Sequence, residues 1–432
     1  MPYHLAKSPR YNGVYDTTLS GKMQVFFKFN VIIHATRFRK GIEMSNIALL
    51  VYDVTLTGGA ERVALNLAGE FARKKADPDK MSDKTDKNGS TEHKKNNVYI
   101  ISVAMSGVPD DLYDGNSDRY SEDVEFLSIA PEMGSITLNF LRYKRRLKRI
   151  LKEKNIDILM SITAGVVTLA IAAARGTKAK VIYCEHSNLE NRTYGKKHVF
   201  RQHFGADHAD AVVTLTKRDR GNFIRFFKTP KEKLFAIPNW YTPYDKQVSY
   251  DSTSKKIISV GRLEKVKGYE YTIECAERIL KDNPDWEWDI YGDGTLREEL
   301  QSMIDDRHIE RLTLKGNASD IRDRYPGYAF LVLTSLYEGF SLALLEAQVA
   351  GLPIVSFDCP TGPSEIVSNG VNGYVVTQFD VDELTDKVQE LISSPDMRVS
   401  FSEHAGDMLH RYEKKRVIRQ WQRVFNRLSN SD

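Results

Sequence analysis

Two glutamates, Glu338 and Glu346, lie eight positions apart on either side of a short turn. The apolar run before them, residues 328–334, is bounded by turn residues, which predicts a buried strand. The apolar residues around Glu346 predict a helix directly after the turn. Because ligands of open parallel sheets bind at the carboxyl ends of the strands, this strand, turn and helix form a candidate binding corner.

The turn between the two acids is Gly339-Phe340-Ser341, followed by Leu342. The first N–H groups of a helix have no partner inside the helix, and they favour anions such as phosphate. A carboxylate accepts hydrogen bonds from sugar hydroxyls. Acids on both sides of such a turn therefore predict a ligand that carries phosphate and hydroxyls together, as a nucleotide-sugar does. The alternative is a surface glutamate followed by an unrelated helix glutamate.

Two cations, Arg262 and Lys267, lie in the segment GRLEKVKG, residues 261–268. Arg262 follows a predicted strand, and Lys267 precedes the glycine that opens the next helix. Arginine offers a fork of donors to phosphate oxygens, and lysine offers a point charge. They can stabilise a leaving diphosphate where an enzyme with an Asp-x-Asp pair would use a metal ion. The alternative is a pair of solvated loop cations.

We predict no metal site and no cofactor, since a nucleotide-sugar would be a substrate. Asp77-Pro-Asp79 has the Asp-x-Asp spacing, but it lies in the polar stretch 74–97, which predicts a mobile loop without fixed geometry. Gly292-Asp-Gly294 lacks the third glycine of a dinucleotide fingerprint because position 297 is Arg, which argues against NAD.

The Glu-x7-Glu spacing with Gly-Phe-Ser after the first acid resembles the retaining glycosyltransferases of family 4, the glycosyl transferases group 1. The resemblance spans roughly residues 45–428. A loop at 359–365 looks like the version in bacterial surface-polysaccharide enzymes, with a plain strand–helix connection as its alternative. Four further segments match the family pattern in the family's order: 57–62, 237–239, 261–268 and 291–294.

The resemblance implies an α/β protein with the GT-B fold. Two Rossmann-like domains with parallel sheets would face a central cleft, and the C-terminal helix would cross back to the N-terminal domain. The implied parts are an acceptor-binding domain at 44–240, a linker at 241–254, a nucleotide-sugar domain at 255–410 and the returning helix at 411–432.

The resemblance also implies roles for the acids and the turn. Glu338 would lie near the hydroxyls of the donor sugar and stabilise positive charge at the anomeric carbon. Glu346 would bind the ribose, and the N–H groups of residues 340–342 would bind the diphosphate beside Arg262 and Lys267. Retention by front-face attack and a nucleophilic role for Glu338 both stay open.

Other positions match the family less tightly. His186, at a predicted strand end, would lie beside the donor sugar and the acceptor, or it is a plain loop residue. Gly58 and Gly59 would let the backbone approach the donor phosphates, and they also suit a helix-starting turn. Asn239 is either a donor contact or a turn residue. Gly316 lies where the family holds the nucleobase by its backbone.

Short apolar runs alternate with helical patterns in both halves, which itself predicts parallel sheets covered on both faces. A terminal helix is expected at 413–428, with one apolar stripe. That stripe is formed by Val417, Ile418, Trp421, Val424, Phe425 and Leu428. The expected strands are 47–52, 98–103, 124–129, 156–162, 180–184 and 211–215, then 256–260, 286–291, 311–315, 329–334 and 353–357.

The first 43 residues are expected to lie outside the fold, as an extension or an upstream mis-start. Met44 comes directly before the first predicted strand, so a chain that starts there should stay active. No apolar run approaches the ~18 to 20 residues of a membrane-spanning helix. The net charge of +4 is too small to predict nucleic-acid binding. The three cysteines, Cys184, Cys275 and Cys359, suggest no disulfide framework, which fits a reducing, cytoplasmic compartment.

Residues 142–152 have the sequence RYKRRLKRILK and predict a strongly basic helix. Its cationic face is either solvated or an electrostatic docking surface for anionic lipid, at the inner face of the plasma membrane. The expected packing stripe is Phe140, Leu141, Leu147, Ile150 and Leu151.

These observations predict a retaining, metal-independent hexosyltransferase of polysaccharide biosynthesis. It would move a hexose from a UDP-linked sugar to a glycan or lipid-linked acceptor. One alternative is another GT-B enzyme, a nucleotide-sugar epimerase or a phosphorylase with pyridoxal phosphate. A second is a non-catalytic glycan-binding relative, against which both glutamates, Arg262 and Lys267 argue.

Overall fold

The computed structural model describes residues 46–55, 59–73, 96–104, 123–130, 134–191, 195–245 and 248–430. Met44–Asp432 form one compact unit. The expectations placed on residues 1–43, on Gly58 and on Asp77-Pro-Asp79 lie outside the described residues.

The first half of the chain forms a seven-stranded sheet in the order β3-β2-β1-β4-β5-β6-β7, with every neighbouring pair parallel. Its inner strands are continuous apolar runs because helices cover both faces. The strands are β1 (Asn46–Val51), β2 (Asn97–Ala104), β3 (Val124–Ala130), β4 (Ile158–Ser161), β5 (Lys180–Glu185), β6 (Ala211–Thr214) and β7 (Leu234–Ala236).

Five described helices belong to this half. They are α1 (Gly59–Ala72), α2 (Ile136–Glu153), α3 (Ala164–Ala174), α4 (Lys196–His208) and α5 (Lys217–Phe227). Helix α3 is apolar on all sides and almost wholly buried, because it packs between α2 and α4 and against the sheet. Tyr183 of β5 and Phe223 of α5 are buried in the core of this half, and their rings pack edge to face.

The second half forms a six-stranded parallel sheet in the order β10-β9-β8-β11-β12-β13. The strands are β8 (Lys256–Val260), β9 (Glu287–Tyr291), β10 (Leu312–Gly316), β11 (Phe330–Leu333), β12 (Ile354–Phe357) and β13 (Gly373–Val376). The helices are α6 (Tyr269–Asp282), α7 (Arg297–Asp306), α8 (Ile321–Arg324), α9 (Leu342–Val349), α10 (Pro363–Ile366), α11 (Val381–Ser393), α12 (Pro395–Glu403) and α13 (Lys414–Ser429). Two parallel sheets covered by helices confirm the predicted α/β class.

Helix α13 returns to the first half, as predicted. Its stripe is buried except for Ile418, which is half-buried. Phe425 and Trp421 pack against Phe71 of α1, with ring centroids 5.2 and 6.1 Å from that of Phe71. The Nζ of Lys414 is 3.2 Å from a carboxylate oxygen of Glu70, which also lies on α1.

Two short strands were not predicted. Gly373–Val376 pairs with β12, but four residues after a loop give too little periodicity to separate a strand from a turn. The second strand, Leu234–Ala236, pairs with β6 at the edge of the first sheet, and Asn239 follows three positions after it.

The predicted packing stripe of α2 is wrong at Leu141, whose side chain is 64% exposed. The helix buries Tyr143, Leu147 and Leu151, which follow each other at spacings of four. Leu141 is two positions before Tyr143 and so points about 200° away from that face. Phe140 and Ile150 are half-buried against the core.

Candidate donor-binding and catalytic site

The corner after β11 has the predicted form. Helix α9 begins at Leu342, and the hydroxyl of Ser341 caps it by accepting the N–H of Leu344 at 3.5 Å. Within the described residues, the N–H groups of positions 339–342 donate to no protein acceptor. The side chain of Phe340 is buried against Tyr412, with ring centroids 5.3 Å apart, so only its backbone is available to a ligand.

Lys267 and Glu338 form an ion pair, with Nζ and Oε1 2.6 Å apart and both side chains largely buried. Gly268 makes this contact possible. It has a left-handed φ of 61°, and a Cβ there would lie 2.4 Å from the carbonyl oxygen of Thr334. The turn after β8 can therefore reach the end of β11 only with glycine at this position.

Arg262 follows β8 and is exposed. No hydrogen bond from its guanidinium to another described residue is present. Gly292, at φ 140°, packs so closely below it that a Cβ would lie 1.9 Å from the carbonyl oxygen of Gly261. The Gly-Asp-Gly turn therefore shapes the arginine loop.

Glu346 contacts the other half of the molecule. Its Oε1 is 2.7 Å from a guanidinium nitrogen of Arg62 on α1, and its Oε2 is 3.4 Å from the hydroxyl of Tyr325. Sequence reasoning did not propose Arg62 as a site residue, although it is the last residue of the matching segment 57–62.

Glu61, next to Arg62, is within the influence of the Arg262 charge. Burial raises the pKa of the Glu61 carboxyl, and a backbone hydrogen bond and the charge of Arg262 partly offset this rise. The start of α1 therefore carries an acid and a base that interact with charged groups of the second half.

Two glycines bring the halves into contact. A Cβ on Gly59 would lie 4.0 Å from a methyl group of Leu342, so the start of α1 faces the start of α9. A Cβ on Gly339 would lie 2.2 Å from the carbonyl oxygen of His186, so only glycine fits there.

The loop at 359–365 supports Glu338. The hydroxyl of Thr361 donates to the carbonyl oxygen of Glu338, and a Cβ on Gly362 would lie 3.2 Å from the Cβ of Glu338. Asn188 of the first half donates to the Thr361 hydroxyl at 3.0 Å. The loop therefore lies against the acidic corner.

His186 follows β5, and burial lowers the pKa of its imidazole to about 4, against the opposing charge of Glu185. The imidazole is therefore neutral near pH 7. It lines a small apolar cavity with Asn239, which is 7% exposed. Other lining residues are Val63, Leu67, Cys184, Pro238, Trp240 and Trp421.

Behind His186 lies a buried acidic pair that sequence reasoning missed. Glu185 accepts hydrogen bonds from Tyr183, from Ser187 and, at 3.0 Å, from Gln202. Burial, reinforced by the charge of Glu185, raises the pKa of Asp219 to about 7. In the sequence only His186, at its predicted strand end, pointed to this region, and it does not indicate Asp219.

Gly316 lies at the end of β10 with φ 75°. Its carbonyl oxygen accepts the N–H of Gly292 at 2.9 Å, which joins the predicted nucleobase loop to the arginine loop. The preceding Lys315 pairs with the buried Asp289 at 3.2 Å.

In the parts of the chain that the structure describes, no cluster of three His, Cys, Asp or Glu residues could hold a metal ion. No helix there is both long and apolar enough to cross a bilayer.

Comparison with known proteins gives two adjacent family matches. Residues 57–243 match Glycosyltransferase Family 4, and residues 242–408 match Glycosyl transferases group 1. Together they cover most of the described sequence.

Among similar proteins, an uncharacterized glycosyltransferase of Haemophilus influenzae is 26% identical over 88% of this chain and all of its own length. A poly(ribitol-phosphate) alpha-N-acetylglucosaminyltransferase of Staphylococcus aureus is 26% identical over 56% of this chain and 49% of its own length. The structure of S. aureus TarM with fondaparinux, alpha-GlcNAc-glycerol and UDP covers 89% of this chain and 100% of its own, with a TM-score of 0.73 and 16% identity. The two sheets and this likeness identify the GT-B fold.

Proposed function

Because this chain belongs to the family 4 glycosyltransferases of glycosyl transferases group 1, we propose that it is a retaining hexosyltransferase. The donor is a UDP-linked sugar, and the acceptor is a glycan or lipid-linked glycan of a bacterial surface polymer. A surface-polymer function is supported by the name of the S. aureus relative, and the UDP donor by the UDP in the TarM structure.

The observation that carries the proposal is the convergence of unlike groups at one corner. The Lys267–Glu338 pair, the exposed Arg262 and the unpaired N–H groups at the start of α9 meet at the ends of β8 and β11. Cations and N–H groups suit a diphosphate, and a carboxylate suits sugar hydroxyls.

In the proposed reaction, Arg262, Lys267 and the turn N–H groups stabilise the charge that develops on the leaving diphosphate. Glu338 orients the donor sugar and offsets positive charge at the anomeric carbon, while Glu346 binds the ribose. His186 is a neutral hydrogen-bonding group beside the transferred sugar, and the backbone at Gly59, Gly339 and Gly316 and the side chain of Asn239 complete the donor site.

The proposed reaction needs no divalent cation, because protein cations lie where the diphosphate would bind. Activity should survive treatment with excess EDTA. A loss that Mg²⁺ or Mn²⁺ restores would contradict this part of the proposal.

The direct test is donor turnover by the purified full chain. UDP-glucose, UDP-galactose, UDP-N-acetylglucosamine and GDP-mannose are each incubated with and without a mixed glycan acceptor, and release of the nucleotide is measured. We expect release from at least one UDP-sugar, faster with acceptor, and a product with the anomeric configuration of the donor by NMR. Nucleotide release by the Lys267→Ala variant serves as the background. If no UDP-sugar gives release above that background, the proposal is overturned.

We also propose that the enzyme works at the cytoplasmic face of the membrane and docks there through α2. Besides its cations, this helix carries two exposed apolar side chains, Leu138 at 88% and Leu141 at 64%, which favour contact with a membrane. Cations near an anionic surface contribute about 1 kcal/mol each. The full chain should float with anionic vesicles at low salt, and a Leu138→Ser, Leu141→Ser double variant should float less. If the full chain does not float with anionic vesicles at low salt, the proposed docking is wrong.

A further inference from the structure

Two charged residues at the start of α1, Glu61 and Arg62, have no part in the proposed reaction. Each of them nevertheless interacts with a residue that the reaction assigns to the donor. Arg62 is bound to Glu346, and the charge of Arg262 acts on the Glu61 carboxyl. We call the two residues together the α1 charge pair.

The contact between Arg62 and Glu346 is close and partly shielded from water. The atoms are 2.7 Å apart, and the two side chains are 38% and 23% exposed. The second carboxylate oxygen of Glu346 faces the Tyr325 hydroxyl at 3.4 Å. Both oxygens of Glu346 therefore have protein neighbours.

A ribose has two adjacent hydroxyls, and both must find acceptors for the carboxylate to hold the ring. An Oε1 already bound to a guanidinium cannot take a hydroxyl in the same direction. Each carboxylate oxygen has two lone-pair directions, and Arg62 holds one of those on Oε1, so the ribose and Arg62 compete for that direction.

We propose that Arg62 competes with the donor for Glu346 and must leave this carboxylate before the ribose binds. The inference rests on the proposed function, because it takes Glu346 as the ribose ligand. The ion pair holds the two halves together between turnovers and weakens the binding of every nucleotide by the same factor.

The competition can be measured with uridine, which has the ribose but no phosphate. Loss of a positive charge therefore cannot weaken its binding through the diphosphate. We expect Arg62→Met to bind uridine about threefold to tenfold more tightly than the wild type, as expected for loss of a partly shielded ion pair. Isothermal titration or ligand-observed NMR gives the affinity, and Arg62→Gln serves as a second variant if Arg62→Met does not fold.

A double-variant cycle separates competition from a general structural effect. In a Glu346→Gln background, Arg62→Met should change uridine affinity by less than twofold, because the carboxylate charge that holds the guanidinium is gone. Arg73→Met, at the other end of α1, removes a cation that pairs with Glu70 and should leave uridine affinity unchanged.

Two results would overturn the inference. The first is that Arg62→Met binds uridine no more tightly than the wild type does, which includes binding too weak to detect in both. The second is that Arg62→Met gains as much uridine affinity in the Glu346→Gln background as in the wild type. Binding of UDP to the wild type tests the proposed function separately. If UDP does not bind, the UDP donor is wrong and the inference falls with it. If UDP binds and the uridine affinities are equal, only the charge-pair inference fails.

Discussion

The two halves of the molecule each place a pair of acids near the cleft, but they hold them by different means. In the second half, Glu338 is bound to Lys267 and Glu346 to Arg62, so each carboxylate has a cation. In the first half, Glu185 is surrounded by neutral donors. Its neighbour Asp219 is buried, and its pKa is raised to about 7.

This difference separates exchangeable acids from fixed ones. A carboxylate with a cationic side-chain partner can exchange that partner for the hydroxyls of a ligand, which donate hydrogen bonds to it in turn. A carboxylate buried among neutral hydrogen bonds has no such exchange available, because its donors belong to the core. We infer that Glu338 and Glu346 act on the donor, whereas Glu185 and Asp219 position the loop that carries His186.

The largest expected effect concerns stability and Asp219. Its pKa is about 7 in the folded chain against an ordinary value of 3.8, so between these pH values the folded chain keeps a proton that the unfolded chain has released. The free energy of unfolding should therefore fall as the pH rises from about 4 to 7, by at most about 4 kcal/mol. Asp219→Asn should flatten that fall in urea unfolding at pH 5 and pH 8.

Asp207→Asn, an exposed acid on α4, is the control and should keep the wild-type slope. The comparison between the two acidic pairs breaks if Asp219→Asn keeps that slope as well.

The next effect concerns catalysis and Lys267. A charge-assisted hydrogen bond contributes roughly 1.5–3 kcal/mol, so Lys267→Ala should lower kcat/KM about 10- to 150-fold. Lys265→Ala removes an exposed cation two positions away and should change kcat/KM by less than twofold. Equal efficiencies of Lys267→Ala and the wild type would remove Lys267 from the donor site.

A smaller effect is expected for Glu346, which we propose binds the donor without taking part in bond cleavage. Glu346→Gln should raise the donor KM about threefold to tenfold, with kcat nearly unchanged. Steady-state kinetics over a range of donor concentrations would show this. Glu390→Gln, at a tyrosine and lysine contact on α11, is the matched control. A fall in kcat with constant KM would move Glu346 into the chemical step.

The smallest effect is an expected lack of change. Because the pKa of His186 is about 4, its ionisation should not affect the rate between pH 6 and 8. His186→Gln should lower kcat while the shape of the pH–rate profile stays the same. A limb near pH 6.5 that the variant lacks would show that His186 titrates during turnover, and would weaken the contrast between the halves.

More of the candidate site was predicted from the sequence in the second half of the chain than in the first. Glu338 and Lys267 lie in short segments whose spacing reports their local structure, and their contact follows from parallel strands ending at one edge. Arg62 was missed because its partner comes from the other sheet, and no local spacing encodes that contact. Asp219 was missed for the same reason, since it reaches the region of Glu185 only through the packing of α5 beside β5.

The fold itself was predicted closely because apolar runs and helical patterns alternate along the chain. Leu141 shows the limit of that reasoning. A run of leucines and cations in α2 allows more than one choice of buried face, and only the register against the sheet decides which face is inside.

The aromatic contact between Phe71 and the last helix has a consequence for biosynthesis. On the ribosome, the first sheet emerges long before residues 421–425 do, so Phe71 stays uncovered while the rest of the polypeptide is translated. The amino-terminal half can therefore complete its packing only after nearly the whole chain has been made. A nascent chain arrested before α13 should expose an aromatic surface that chaperones bind.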